Sequence, residues 1–298
     1  MVEAELDEPE PLSRQRKLEL ADGLTREERR IRAQAYARGM WGARLIMISL
    51  LFSIIAMLLI PLYHIFTAIT KEPFTAILVL AGLFGIVHWV VGAVGSVICL
   101  MGLIPQGYYR FAIPAVVAVG IHLFMLLGVV SLPTPPHLGR SIPSSVIRLA
   151  AIPTQFDILT FYLADICYPD ELKLWRGGTG FAFATGIMEM SRLVLILLTL
   201  SALAKAAGDD DLRLLCTRIA GRVTIIPAGL AVVMLLYKMV MIETGAQAAG
   251  LVPLFSLMLY MGIYALPAWI EMTAMSAARD TAEVCEFPFQ SNQIELGG

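Results

Sequence analysis

The sequence is poor in charge. Of 298 residues, 15% are Asp, Glu, Lys or Arg against 58% hydrophobic, and mean hydropathy is +0.75. A soluble domain of this size carries about 25% charged residues. The deficit is concentrated in long apolar blocks, which makes this a membrane protein. The net charge of -2 gives no ground for a nucleic-acid partner. Cysteine is scarce as well. Cys99, Cys167, Cys216 and Cys285 are scattered, with no CxxC and no His–Cys spacing, which argues against a disulfide framework or a zinc site. Residues 1–24 contain no apolar h-region, so no cleavable signal is expected there. Also missing are a Walker loop, an HExxH helix, a GxSxG elbow and a dinucleotide fingerprint.

What is present reads as a chain threaded repeatedly through a bilayer. Residues 1–24 hold Glu3, Glu5, Asp7, Glu8 and Glu10 with Pro9 and Pro11, little of it fit for burial, and are expected to form a disordered, acidic cytoplasmic arm. Thr25 followed by Glu28 matches a capping box, so a helix is expected to start there. That helix, 25–44, carries Arg26, Arg29, Arg30, Arg32, Arg38 and Arg44. It reads as a juxtamembrane anchor, obeying the positive-inside rule and suited to anionic lipid. Apolar spans follow near 45–67, 75–104, 111–132, 179–204, 223–244 and 251–272, each long enough for the roughly 20 residues that a bilayer requires, the second long enough to tilt or extend beyond it. Residues 273–298 are left as a cytoplasmic tail.

Residues 133–178 separate the third and fourth spans. They open with the turn-rich "PTPPHLGRSIPSS" and continue with "TQFDILTFYLADI", in which Thr154 and Asp157 form a second capping-box pattern. A seventh span near 147–167 would bury Arg148, Asp157 and Asp165, at roughly 2.5–3.5 kcal/mol each if central. It would also turn the 205–222 loop outward with Lys205, Arg213, Arg218 and Arg222. Six spans with both termini cytoplasmic is therefore preferred, and the extra helix is expected to lie in the outer interface. The fold class is an all-α polytopic membrane helical bundle: six transmembrane helices plus one interfacial helix on the outer face. Its two three-helix halves have opposite orientation, the layout of an inverted repeat, without residue-level similarity between them.

Ionisable residues inside the spans are the candidate site. Glu189 and Arg192 stand three apart in "GIMEMSRLVLILLTL", within reach of each other on one helix. At about 1.5 Å per residue, Glu189, Arg192, His88 and His122 all fall about 15–20 Å from the outer ends of their spans, near the midplane. Thr185, Glu189, Arg192 and Thr199 form one polar stripe. Gly85, His88, Gly92, Gly95 and Cys99 form a stripe of small residues that lets another helix approach and points His88 at a partner. Ala115, Ala118, His122 and Met125 repeat the spacing. Ser256, Tyr260, Tyr264 and Glu271 make a further polar face, with Pro267 available to kink it. His64 reads as interfacial and Lys238 as snorkelling. Asp209, Asp210 and Asp211 read as a solvated cap followed by an amphipathic helix.

Three readings of the four central groups stand side by side. The plainest is a buried Glu–Arg–His network that fixes helix packing and register. The second is a proton or anion relay in a transporter-like bundle, with Glu189 and a histidine exchanging a proton and Arg192 tuning them or holding an anion. The third is a redox protein in which His88 and His122 ligate a b-type haem. The first two make the protein a non-enzymatic membrane bundle; the third alone calls for a cofactor.

Two stretches carry a resemblance. "VGSVICLMGLIPQGYYRFAI", Val94 to Ile113, and "LTLSALAKAAGDDDLRLLCTRI", Leu198 to Ile219, resemble recurring patterns in uncharacterised multi-pass membrane proteins of planctomycete-type bacteria. The resemblance implies a multi-pass protein of a bacterial inner membrane and assigns no functional residue.

Overall fold

A computed structural model describes residues 26–70, 75–130, 176–225, 229, 265, 266 and 268–286. The acidic arm, Thr25, the 133–178 segment up to residue 175 with its interfacial helix, Lys238, Ser256, Tyr260, Tyr264 and Pro267 lie outside the described residues. So do the side chains of His64, His122 and Glu189.

The described chain is all α. Helix α1 is Arg26–Thr70, α2 is Thr75–Leu103, and a 3-10 turn, Ile104–Gln106, leads to α3, Ala112–Val130. Helix α4 is Arg176–Ala207, α5 covers 210–225 and α6 covers 268–286. Three helical stretches are long and apolar enough to cross a membrane, Arg30–Tyr63, Val79–Gln106 and Met190–Ala207, and Ala112–Ile121 is a shorter apolar helix. The chain is a multi-pass helical membrane protein.

Helix α1 fuses two expected elements, the arginine-rich anchor and the first span. Its 45 residues make a rod of about 68 Å, more than twice the hydrocarbon thickness of about 30 Å. It begins one residue after the expected cap, and Glu27 and Glu28 in its first turn meet the positive end of the helix dipole.

Two tight turns set the hairpins. Gly107, at φ 75°, donates its N–H to Ile104 O at 3.2 Å and ends the α2 side. Gly208, at φ 83°, ends α4, with Asp209 N–H donating to Ala204 O at 2.9 Å. Glycine reaches this left-handed backbone without a Cβ penalty. Asp209 Oδ1 then accepts Leu212 N–H at 2.9 Å, so the acidic run does cap the next helix. That helix is amphipathic: Leu212, Cys216, Ile219, Ala220 and Val223 are buried, and Asp211, Arg218 and Arg222 are exposed.

Helices α1 and α2 pack antiparallel through glycine. A methyl on Gly42 would lie 2.5 Å from Cys99 Sγ and 2.8 Å from Cys99 N, and one on Gly102 would lie 2.9 Å from both Ala35 O and Gly39 N. On α2 the approach from Gly95 through Cys99 to Gly102 is therefore a backbone-to-backbone contact. Alongside, Tyr36 O–H donates to Ala206 O at 3.0 Å, and Gly39 faces Leu203 and Cys285. Helices α2, α4 and α6 thus all run against α1, with their C-terminal ends beside its N-terminal part. This end is called the near side below.

The sequence places the sixth span near 251–272 with a cytoplasmic tail from 273 on. Instead the helix runs to 286, and Ala274, Ala277, Ala278, Thr281, Ala282 and Cys285 are buried against α1, α4 and α5. The physical reason lies in spacing: Ala268, Glu271, Ala274, Ala278, Thr281 and Cys285 recur every three or four residues, one small-residue helical face that hydropathy alone undervalues.

Candidate functional site

The site grows from one turn of α1. Ser49 and Ser53, four apart, lie on the same face and are both buried. Ser49 Oγ donates to His88 O at 2.8 Å, and His88 Nδ1 lies 2.8 Å from Ser49 O and 2.9 Å from Ser49 Oγ. A carbonyl oxygen only accepts, so Nδ1 carries a proton and donates. In neutral imidazole the other nitrogen is then an acceptor. Nε2 fills that role: Arg192 Nη2 donates to it at 2.7 Å. The tautomer, Nδ1–H with a bare Nε2, follows from the partners.

Arg192 is almost fully enclosed, at 1% exposure. Its guanidinium carbon lies 5.0 Å from the centre of the Trp89 ring, a cation–π contact, and Trp89 meets His88 edge-on at 5.6 Å. Gly92 makes room for it: a methyl there would lie 3.0 Å from Arg192 Nη1 and 2.7 Å from Ser49 Oγ. One turn further along α1, Ser53 Oγ donates to Glu271 Oε1 at 2.8 Å, and Glu271 is fully buried. Residues of α1, α2, α4 and α6 therefore meet at one level, and they form a buried Glu–Arg–His polar core.

The expected group is met in half. His88 and Arg192 come together, His88 from the small-residue stripe and Arg192 from the polar stripe. The side chains of Glu189 and His122 lie outside the described residues. The acid seen in the core is Glu271, read from the sequence only as part of a face near the end of span six. Continuing the 3–4 residue repeat of small residues past 272 would have placed it mid-helix. The serines of "SLLFS" carried no signal beyond their i, i+4 spacing in an apolar run.

Both ring nitrogens of His88 are engaged: the protonated Nδ1 donates to Ser49 O, and the Nε2 lone pair accepts from Arg192, so no lone pair is left for an iron. The arrangement does not fit His88 as a haem ligand. Among the described residues, no group of three or more His, Cys, Asp or Glu could hold a metal ion.

A second polar cluster lies on the near side. Arg44 Nη2 pairs with Glu286 Oε2 at 2.8 Å, while the Arg44 guanidinium also lies 5.5 Å from the Trp41 ring. Lys205 Nζ is 5.4 Å from the ring of Tyr108. In the same region, burial pushes the Cys216 thiol up to about 11 and the Cys285 thiol up to about 12.

Comparison of the chain with family models, with curated proteins and with solved structures returned no match. The reading of the site rests on its own geometry.

Proposed function

We propose that the chain is a non-enzymatic bundle of the bacterial inner membrane, six spans with both termini cytoplasmic, whose polar core locks four helices in register. The observation that carries the reading is the hydrogen bond from Arg192 to neutral His88 in a buried site. Polar groups buried this way hold only one geometry, because any slip of a helix strands a donor or an acceptor. Removing one partner of such a group costs more than replacing both.

Several features support the threading. The near side gathers Arg30, Arg32, Arg38, Arg110, Lys205, Arg218 and Arg222, all exposed, as the positive-inside rule asks of a cytoplasmic face. Trp41 and Tyr108, each against a cation, suit the membrane interface there. Because α3 leaves from the near side and α4 returns to it, an even number of crossings between them suits the directions of both helices. That favours six spans, with 133–178 kept on the outer face and its helix in the interface. The N-terminal part of α1, rich in exposed arginine, is suited to anionic lipid.

A double-mutant cycle tests the lock. Arg192→Met alone leaves His88 Nε2 without its donor, and His88→Phe alone leaves Arg192 without its acceptor. The double variant should recover about 1–3 kcal/mol of the summed loss, read as melting temperature in detergent. Strict additivity would sink the reading.

A second reading is a relay within a transporter-like bundle, favoured by one observation: Arg192–His88 and Glu271 are held by serines one turn apart on α1. Here proteoliposome flux should vanish in Glu271→Gln and, if Glu189 takes part, in Glu189→Gln. Flux unchanged in both would remove the carboxylates from any relay.

A further inference from the structure

Helix α5 exposes a face that the bundle leaves unused. Its inner side packs Cys216, Ile219, Ala220 and Val223 into the core, and its outer side presents Arg218, Gly221, Arg222 and Ile225. Arg218 and Arg222 stand one turn apart on this outer face. Among the described residues neither makes an ion pair or a hydrogen bond. Like charges at i, i+4 repel and weaken the helix. The acids nearby are otherwise engaged or directed: Asp210 pairs with Arg213, and Asp280 and Glu283 both pair with Arg279 on α6. Asp211 lies two turns away at the near end of the helix. Between the arginines, a Cβ on Gly221 would meet nothing within 4 Å, so the backbone there is open to a ligand. Ile225, 72% exposed, continues the face at the end where the sequence turns apolar.

We infer that Arg218 and Arg222 form a clamp for the phosphate of an anionic phospholipid in the near-side leaflet. Two guanidinium forks bind phosphate oxygens as paired, charge-assisted donors. Gly221 admits the headgroup between them, and exposed Ile225 meets the start of the acyl chains. An anion there also relieves the repulsion between the two arginines. The clamp is separate from the polar core and stands whether that core is a lock or a relay.

The test is native mass spectrometry of protein released from nanodiscs of 3:1 phosphatidylcholine and phosphatidylglycerol. Wild type should keep bound phosphatidylglycerol, and Arg218→Gln/Arg222→Gln should keep less by on the order of tenfold. Arg30→Gln/Arg32→Gln, which removes equal charge from α1, should keep it. Arg218→Lys/Arg222→Lys preserves charge without the forks and should fall between. Equal retention by the two Gln variants, or none by wild type, overturns the clamp. A separate melt in detergent reads specificity. Phosphatidylglycerol should raise the melting temperature of wild type alone, and an equal rise with glycerol phosphate overturns the lipid as the occupant.

Discussion

Glycine substitutions along one seam should separate backbone contact from open space. At Gly42 an added methyl would sit 2.5 Å from Cys99 Sγ, 2.8 Å from Cys99 N and 3.0 Å from Gly95 O. Two of those atoms are backbone of α2, so no rotamer change relieves the overlap and the helices must part. At Gly92 the methyl meets side-chain atoms, Ser49 Oγ at 2.7 Å and Arg192 Nη1 at 3.0 Å, and relief comes by disturbing the polar core. At Gly85 it meets nothing within 4 Å. Every one of these changes gains about 1 kcal/mol of helix propensity. Overpacking costs typically about 1–3 kcal/mol, and more where backbone must move. Gly85→Ala should therefore match or exceed wild type, Gly92→Ala should lose about 1–2 kcal/mol, and Gly42→Ala should lose most, about 2–3 kcal/mol. At roughly 2–4 °C per kcal/mol, the spread of about 2–4 kcal/mol between Gly85→Ala and Gly42→Ala is about 4–16 °C. Size-exclusion melting curves in one detergent resolve that easily. If Gly42→Ala and Gly85→Ala melt together, the close α1–α2 seam is not the contact that holds the pair.

The polar core and the near side give further expectations. Ser53→Ala removes the donor to buried Glu271 Oε1 and should cost about 1–3 kcal/mol, whereas Ser53→Thr, which keeps the hydroxyl, should cost less; equal melts would take Ser53 out of the core. Arg44→Gln should cost under about 1 kcal/mol, because the Arg44–Glu286 pair is half exposed, and a loss above 2 kcal/mol in detergent would contradict that. The raised thiols of Cys216 and Cys285 should resist maleimide at pH 8 in folded protein and react after denaturation, scored site by site by mass spectrometry. Their folded values lie above the ordinary thiol near 9. The stability that this contributes is whole below pH 9 and is lost as pH rises from there through about 11 to 12.

Much of this architecture was legible because periodicity and punctuation are local. The helix start after Thr25, the break at Pro105–Gly107 and the "AAGDDD" turn were all readable from residue types with one mechanical use each. The stripes on the second and fourth spans marked His88 and Arg192 as inward-facing, but the sequence reading set Arg192 against Glu189, and its bond to His88 is visible only in the fold. Glu271 was read only as part of a polar face, and not as a member of the central group, because its neighbours on the core face are alanines, a serine-like threonine and a cysteine. These contribute little hydropathy yet bury completely when a second helix approaches closely. The serines were invisible for a related reason: a hydroxyl in an apolar helix usually bonds back to its own turn, as Ser96 does to Gly92 O at 2.8 Å. Only the arrival of His88 and Glu271 from other helices distinguishes Ser49 and Ser53.

The same residues show why hydropathy is a poor ruler of depth. The run from Leu193 to Ala204 on α4 reads as membrane span, yet Leu193, Ile196, Leu197, Leu200, Leu203 and Ala204 are enclosed by α1, α5 and α6. What surrounds them is protein, and on α5 and α6 that protein turns Arg218, Arg222, Arg279 and Glu283 outward. Exposed charge cannot sit in hydrocarbon without cost, so these side chains mark where lipid tails end on that flank. Glu271 stands eight residues from Arg279, about 12 Å along the helix, and Ser49 stands five from Arg44, about 7.5 Å. Measured along the helices, the polar core lies within about 12 Å of these near-side charges. The leucine layer beneath it is then a dry seal between that core and the near side, built from the very residues that look most like lipid-facing span.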